Sequence, residues 1–291
     1  MGDGDGMRLN DHRPTAEIAA AFAPQALAVA DHLRAQFPEA AVSLGPAAGS
    51  DFSVPGDFWA AGSAGLEAGL AYQDFFGVGM TDRIRAAHLI AFYSRQLSVV
   101  LGAFHLGAGL QPEVAGIRFE DWARLHRSAE VAGKRYHFRL QPPAMEREGG
   151  EEGVSAFEQG FIAHLAPVIA VLKARTGLSS GAQWRLAADA LAGAFLEIGR
   201  AIGDEARGMA EALAIVKRPG SRLYSDELCY EQIAAVHPAS GEHISRQYRI
   251  RCGCCLYFKT EGGSFCDTCV LLEPVDRRAR LAAHLMQNGG A

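Results

Sequence analysis

Most of the chain alternates apolar and polar positions at helical spacing. Ile18, Phe22, Val29 and Leu33 follow Thr15, a good N-cap, and predict a helix kinked or split at Pro24 and ended by Pro38. Residues 41–56 read as loop, with Gly45-Pro46 and Pro55-Gly56 as breakers. Residues 66–76 fit a short helix. Thr81 caps a longer one reaching about Leu101, with Asp82 at its positive end. That helix is apolar over most of its circumference and is expected to be buried. Phe157, Phe161, Leu165, Val168, Ile169 and Leu172 form one stripe, and Trp184, Leu191, Phe195, Ile198 and Ile202 form the next. Residues 177–181 join these two as a short hairpin. A third helix covers about 204–217. A last helix starts at Glu273-Pro274, with Asp276 in its first turn and Arg277, Arg278 and Arg280 on its surface.

Two short segments depart from the helical period. Ile117 and Phe119 in one, and Tyr136, Phe138 and Leu140 in the other, alternate between the breakers Gly116 and Gly133. They predict a small antiparallel sheet, with helix as the alternative over 122–131. Pro142-Pro143 and Gly149-Gly150 mark a loop. The expected fold class is α+β and mostly helical, with antiparallel helices, a small antiparallel sheet and a C-terminal cysteine-rich segment. Pro219-Gly220 is the clearest boundary. It divides a Gly/Asp-rich, disordered N-terminus (1–14) and a mainly helical domain (15–218) from a cluster-binding segment (219–291) packed on it.

Composition narrows the function classes. A hydrophobic content of 49% with 21% charged residues is globular, not disordered, and a net charge of −5 argues against a general nucleic-acid binder. The longest charge-free run, 96–112, contains His105 and three glycines. It is too short and too broken for a membrane span of about 20 apolar residues. No signal peptide is read, so the expectation is a cytoplasmic protein that could still associate peripherally with a membrane. His88, His105, His126, His137, His164, His237, His243 and His284 are scattered without metal spacing and read as surface or core residues. No P-loop, dinucleotide fingerprint or nucleophile elbow is present. Cys229 stands alone and is expected to be a small buried hydrophobe.

The other five cysteines lie together: Cys252, Cys254, Cys255, Cys266 and Cys269. Thiolates select zinc, Cu(I) or iron–sulfur iron. Cys266-x-x-Cys269 is a common half-site. Cys254 and Cys255 are adjacent, and neighbours on a regular strand point to opposite faces. Both can be ligands only if the backbone kinks or if each reaches a different metal atom. Gly253 and Gly262-Gly263 supply freedom for such bends. A [2Fe–2S] cluster, wider than one ion, is the sharper reading, and structural zinc is the competitor. Arg246, Arg249 and Arg251 lead into the cysteines. They are either a solvated strand face or cations that raise the centre's potential and attract anionic ligands.

Cys254-Cys255, ten residues, then Cys266-x-x-Cys269 resembles the C-terminal signature of the FhuF-like ferric-siderophore reductases. The basic lead-in (Arg246, Tyr248, Arg249, Arg251), Leu256-Tyr257 after the pair and the apolar Val270, Leu271 and Leu272 fit that setting. The resemblance covers about residues 246–272. It implies a [2Fe–2S] cluster on Cys254, Cys255, Cys266 and Cys269, with Cys252 as a fifth candidate outside the minimal motif. It implies one-electron reduction of a ferric siderophore, hydroxamate favoured, and release of ferrous iron in the cytoplasm. Arg246, Tyr248, Arg249 and Arg251 become candidate substrate contacts. With no nicotinamide site in the chain, the electron would come from a ferredoxin or flavoprotein. Two alternatives remain: a zinc-stapled helical ligand-binding protein, and a cluster-bearing siderophore-pathway electron carrier without reductase activity.

Overall fold

The computed structural model describes residues 24–46, 51–126, 129–141 and 150–288. Thr15, Ile18 and Phe22, the N-terminus expected to be disordered and the loop expected at 142–149 lie outside the described residues. The elements run α1 (Pro24–Gln36), β1 (Ala41–Leu44), α2 (Pro55–Phe58), α3 (Ala64–Tyr72), α4 (Asp82–Ala108), β2 (Glu113–His126), β3 (Ala129–Gln141), α5 (Glu151–Thr176), α6 (Ser180–Ala201), α7 (Glu205–Val216), β4 (Cys229–Val236), β5 (His243–Ile250) and α8 (Pro274–Asn288). The fold is α+β and mostly helical.

α4 is the central helix. Thr81 Oγ1 accepts the Ile84 N–H at 3.4 Å, and Gly109 ends the helix in the left-handed region at φ 65°. Leu89, Ile90, Tyr93, Leu97 and Phe104 are fully buried. The helix runs seven residues past the expected end at Leu101. Two of the glycines that suggested a break are packing sites: a Cβ would lie 3.0 Å from Ile198 and Phe195 at Gly102, and 3.2 Å from Val29 at Gly107. By length and composition α4 and α5 could each cross a membrane, but 83% of the most apolar window of α4 is buried inside the molecule, against 39% for α5.

α6 packs along both α4 and α7. At the α6–α7 contact a Cβ on Gly208 would lie 2.3 Å from the Phe195 carbonyl oxygen, so only glycine lets the backbones approach this closely.

The first sheet has the order β1-β3-β2. Ile117 pairs with Phe138 and Phe119 with Tyr136, facing the helices as the alternation predicts. Two expectations are corrected. Residues 122–126 and 129–131 are strand, not helix, because Trp122 continues the β2–β3 register opposite Gly133. Residues 41–44, read as loop, form β1, which pairs in parallel with β3 from Ala41↔His137 to Leu44↔Leu140, so the sheet is mixed. Four residues buried on both faces carry no period to read.

β4 and β5 form a separate antiparallel pair, on which α8 packs Leu281 and Leu285 against Ile233 and Ile250. Pro219-Gly220 marks a change of pattern but no break in packing, since Leu223, Leu228 and Cys252 belong to the main core. Cys229, expected to be buried, is exposed at the start of β4.

Candidate metal centre

The site begins where β5 ends. Asp189, 2% exposed on α6, turns its carboxylate to the chain leaving β5. Oδ1 accepts the Cys252 N–H and Oδ2 accepts the Gly253 N–H, both at 2.9 Å. Arg251 Nε lies 3.3 Å from the same Oδ2. Arg249 Nη1 donates to the Asp189 main-chain carbonyl. Gly253 is required by this approach rather than by φ: a Cβ there would sit 2.9 Å from the Leu186 nitrogen.

The expected kink falls one residue after the cysteine pair. Leu256 adopts φ 65°, and it is the one non-glycine with positive φ among the described residues. Its N–H then points back to Cys254 Sγ at 3.4 Å. Gly262, at φ 69°, turns the chain again. A Cβ on Gly263 would lie 2.1 Å from the Tyr257 carbonyl oxygen. An isolated bridge from Val78 to Glu261 ties this loop to the segment before α4. The Cys269 N–H donates to the Cys266 carbonyl at 2.9 Å, which closes the C-x-x-C turn.

Cys254, Cys255, Cys266 and Cys269 therefore line one small pocket, walled by Tyr257, Phe258 and Phe265. Arg251 Nη1 donates to Cys266 Sγ at 3.5 Å. Cys255 and Cys266 share this pocket, and the His88 ring lies against Tyr257 in its wall. The Cys266 contact, with help from His88 and Arg251, holds the Cys255 thiol well below its usual range, while Cys266 is pushed up. Burial also raises Cys254. Burial weighs against the Arg251 charge, but Asp189 and the thiols of Cys266 and Cys255 outweigh it and keep the guanidinium protonated.

Among the described residues no group of three or more His, Cys, Asp or Glu side chains is arranged to hold a metal ion as it stands. The four thiols share a pocket without being drawn into one ligand sphere. The donor set still fits a thiophilic centre. Four cysteines line one pocket, and N–H donors reach the sulfurs of Cys254 and Cys266, the hydrogen bonding that thiolate ligands need.

Cys252 sits apart. It is 2% exposed in the main core and its Sγ contacts the Arg185 carbonyl at 3.5 Å. Burial and the nearby Asp189 carboxylate push its thiol up to about 12. The four candidate substrate residues do not share one surface. Arg249 and Arg251 turn inward to α6 and stand behind the cysteines. Arg246 is exposed and pairs with Ile233, while the Tyr248 hydroxyl meets His284 Nδ1 at 3.3 Å on the α8 side.

Sequence reasoning missed Asp189 and His88. Asp189 left a signal, a lone carboxylate within Ala187-Ala188-Asp189-Ala190 on an otherwise apolar face. His88 left none, because its ring meets Tyr257, 5.8 Å away between centroids, only through the tertiary fold. No family model matches the chain, and no curated protein matches it.

Proposed function

We propose that this protein is an FhuF-like ferric-siderophore reductase that carries a [2Fe–2S] cluster on Cys254, Cys255, Cys266 and Cys269. The observation that carries the reading is the convergence of these four thiols, and not Cys252, on one pocket backed by Arg251. Bound there, the cluster supplies a one-electron redox centre at the protein surface. The residues around it have distinct tasks. Arg251 offsets the negative charge of the thiolates. The Leu256 N–H orients the sulfur of Cys254. The Phe258 and Phe265 rings, 4.9 Å apart, give the pocket an apolar wall. The substrate is ferric iron in a siderophore, hydroxamate by preference. Ferrous iron is held far less tightly by the same oxygens, so a single electron frees the metal. The reductant is an external ferredoxin or flavoprotein.

The test is anaerobic purification with iron, sulfide and zinc analysis and EPR before and after dithionite. About two irons and two sulfides per chain, with a spin-half signal only after reduction, is the expected result. Turnover on ferric hydroxamates against ferric catecholates follows, and a cluster without turnover leaves an electron carrier. Stoichiometric zinc without sulfide, even after reconstitution, overturns the reading in favour of a zinc-stapled binding protein.

A further inference from the structure

We propose that the buried Asp189–Arg251 ion pair sets the redox potential of the cysteine centre, with Asp189 acting as a positioning residue from the helical body. The inference rests on the functional reading above and extends it to residues outside the cysteine motif.

Asp189 is 2% exposed, and its side chain has no solvent to share its charge with. Both carboxylate oxygens are committed to the cysteine segment, through the Cys252 and Gly253 N–H groups and Arg251 Nε. Arg251 in turn reaches Cys266 Sγ with Nη1. One guanidinium therefore bridges a fixed anion and a ligand sulfur. Arg249, bonded to the Asp189 carbonyl, adds a second cation to the same buried space. Charges there interact through a low dielectric and are poorly screened by salt. Reduction adds one negative charge to the centre. Arg251 stabilises that charge, and Asp189 opposes it while holding Arg251 in place. The two side chains therefore pull the potential in opposite directions.

The sign separates this role from simple structural support. Arg251→Gln is expected to lower the midpoint potential, with about a tenfold change in the one-electron equilibrium, or about 59 mV. Asparagine keeps an amide oxygen to accept from the cysteine segment and hold Arg251 beside Cys266 while removing the anion, so Asp189→Asn is expected to raise it. The double variant is expected to fall between the two singles, since removing both charges restores the local balance. The measurement is an EPR- or absorbance-monitored potentiometric titration of the purified holoprotein. Potentials that move in the same direction in both single variants, or stay fixed in both, overturn the inference. Should Asp189→Asn not accumulate as folded protein, Arg251→Lys against Arg251→Gln carries the test. Lysine keeps the charge and loses the forked geometry, so its potential should stay near wild type while that of glutamine falls. Equal shifts in the two overturn the inference. Wild-type protein with neither iron nor sulfide overturns the functional reading and this inference with it, whereas an intact cluster with the wrong pattern of shifts overturns this inference alone.

Discussion

Adjacent Cys254 and Cys255 line one pocket here because the residue after them bends the chain. Leu256 at φ 65° accepts a conformation that costs a branched side chain of order 1 kcal/mol or more, and in return its N–H faces Cys254. The cysteine variants should sort accordingly. Serine at Cys254, Cys255, Cys266 or Cys269 should abolish or badly perturb iron and sulfide loading. Serine at Cys252 should keep the centre and cost about 1–2 kcal/mol in thermal stability, because a hydroxyl replaces a buried thiol. Serine at the exposed Cys229 should change neither. Bleaching by Cys252→Ser with retention in Cys254→Ser would reverse the assignment. The four cysteines that line the pocket were named in the sequence through the family resemblance, whereas spacing alone left Cys252 as a fifth candidate. The surroundings of these cysteines were not legible, because Asp189 and His88 come from helices far away in sequence and meet the cysteines only through packing.

Among the elements, the strongly periodic helices α5, α6 and α7 could be read to within a few residues. β1 could not, because its parallel pairing with β3 is a long-range event that leaves no local pattern. The glycines of α6 and α7 predict a sharp cost. Gly208→Ala would drive a methyl into the Phe195 carbonyl and force the two helices apart. The loss should be about 1–3 kcal/mol, read as a fall in chemical-denaturation midpoint. The outer face of the β2–β3 sheet carries a pH dependence. Burial opposes ionisation of Glu120, but His137, Arg118 and Arg135 overcome it and bring its carboxyl down to about 2. Glu120 accepts from Arg118 Nε at 2.9 Å and Arg135 Nε at 2.9 Å, and Asp51 balances Arg118. A carboxyl lowered on folding stabilises above its unfolded value of about 4.5 and loses that stabilisation as pH falls towards 2. Burial lowers the pKa of His137, so at pH 7 the stabilisation comes from Arg118 and Arg135 and is about 1–2 kcal/mol. Glu120→Gln should therefore be less stable than wild type at pH 7, with the gap closing on acidification. A gap independent of pH would remove this explanation.

The whole molecule is held by one main core, and the residues after Pro219-Gly220 complete it with Leu223, Leu228 and Cys252. Calorimetry should accordingly show a single cooperative transition. A chain cut after Arg218 should lose cooperativity, because Asp189 would remain inside α6 without Arg251 or the two N–H donors. Two separable transitions would instead make the boundary read from the sequence a true domain border.

Asp189 and Cys252 are 63 residues apart, and Asp189 comes first. During synthesis α6 therefore leaves the ribosome well before the segment that neutralises its carboxylate. The helical body carries an uncompensated charge on its inner face until Arg251, Cys252 and Gly253 arrive. The same arrival closes the core with Cys252 and brings Cys254, Cys255, Cys266 and Cys269 to their shared pocket, so the completion of the core and the assembly of the pocket fall together late in synthesis.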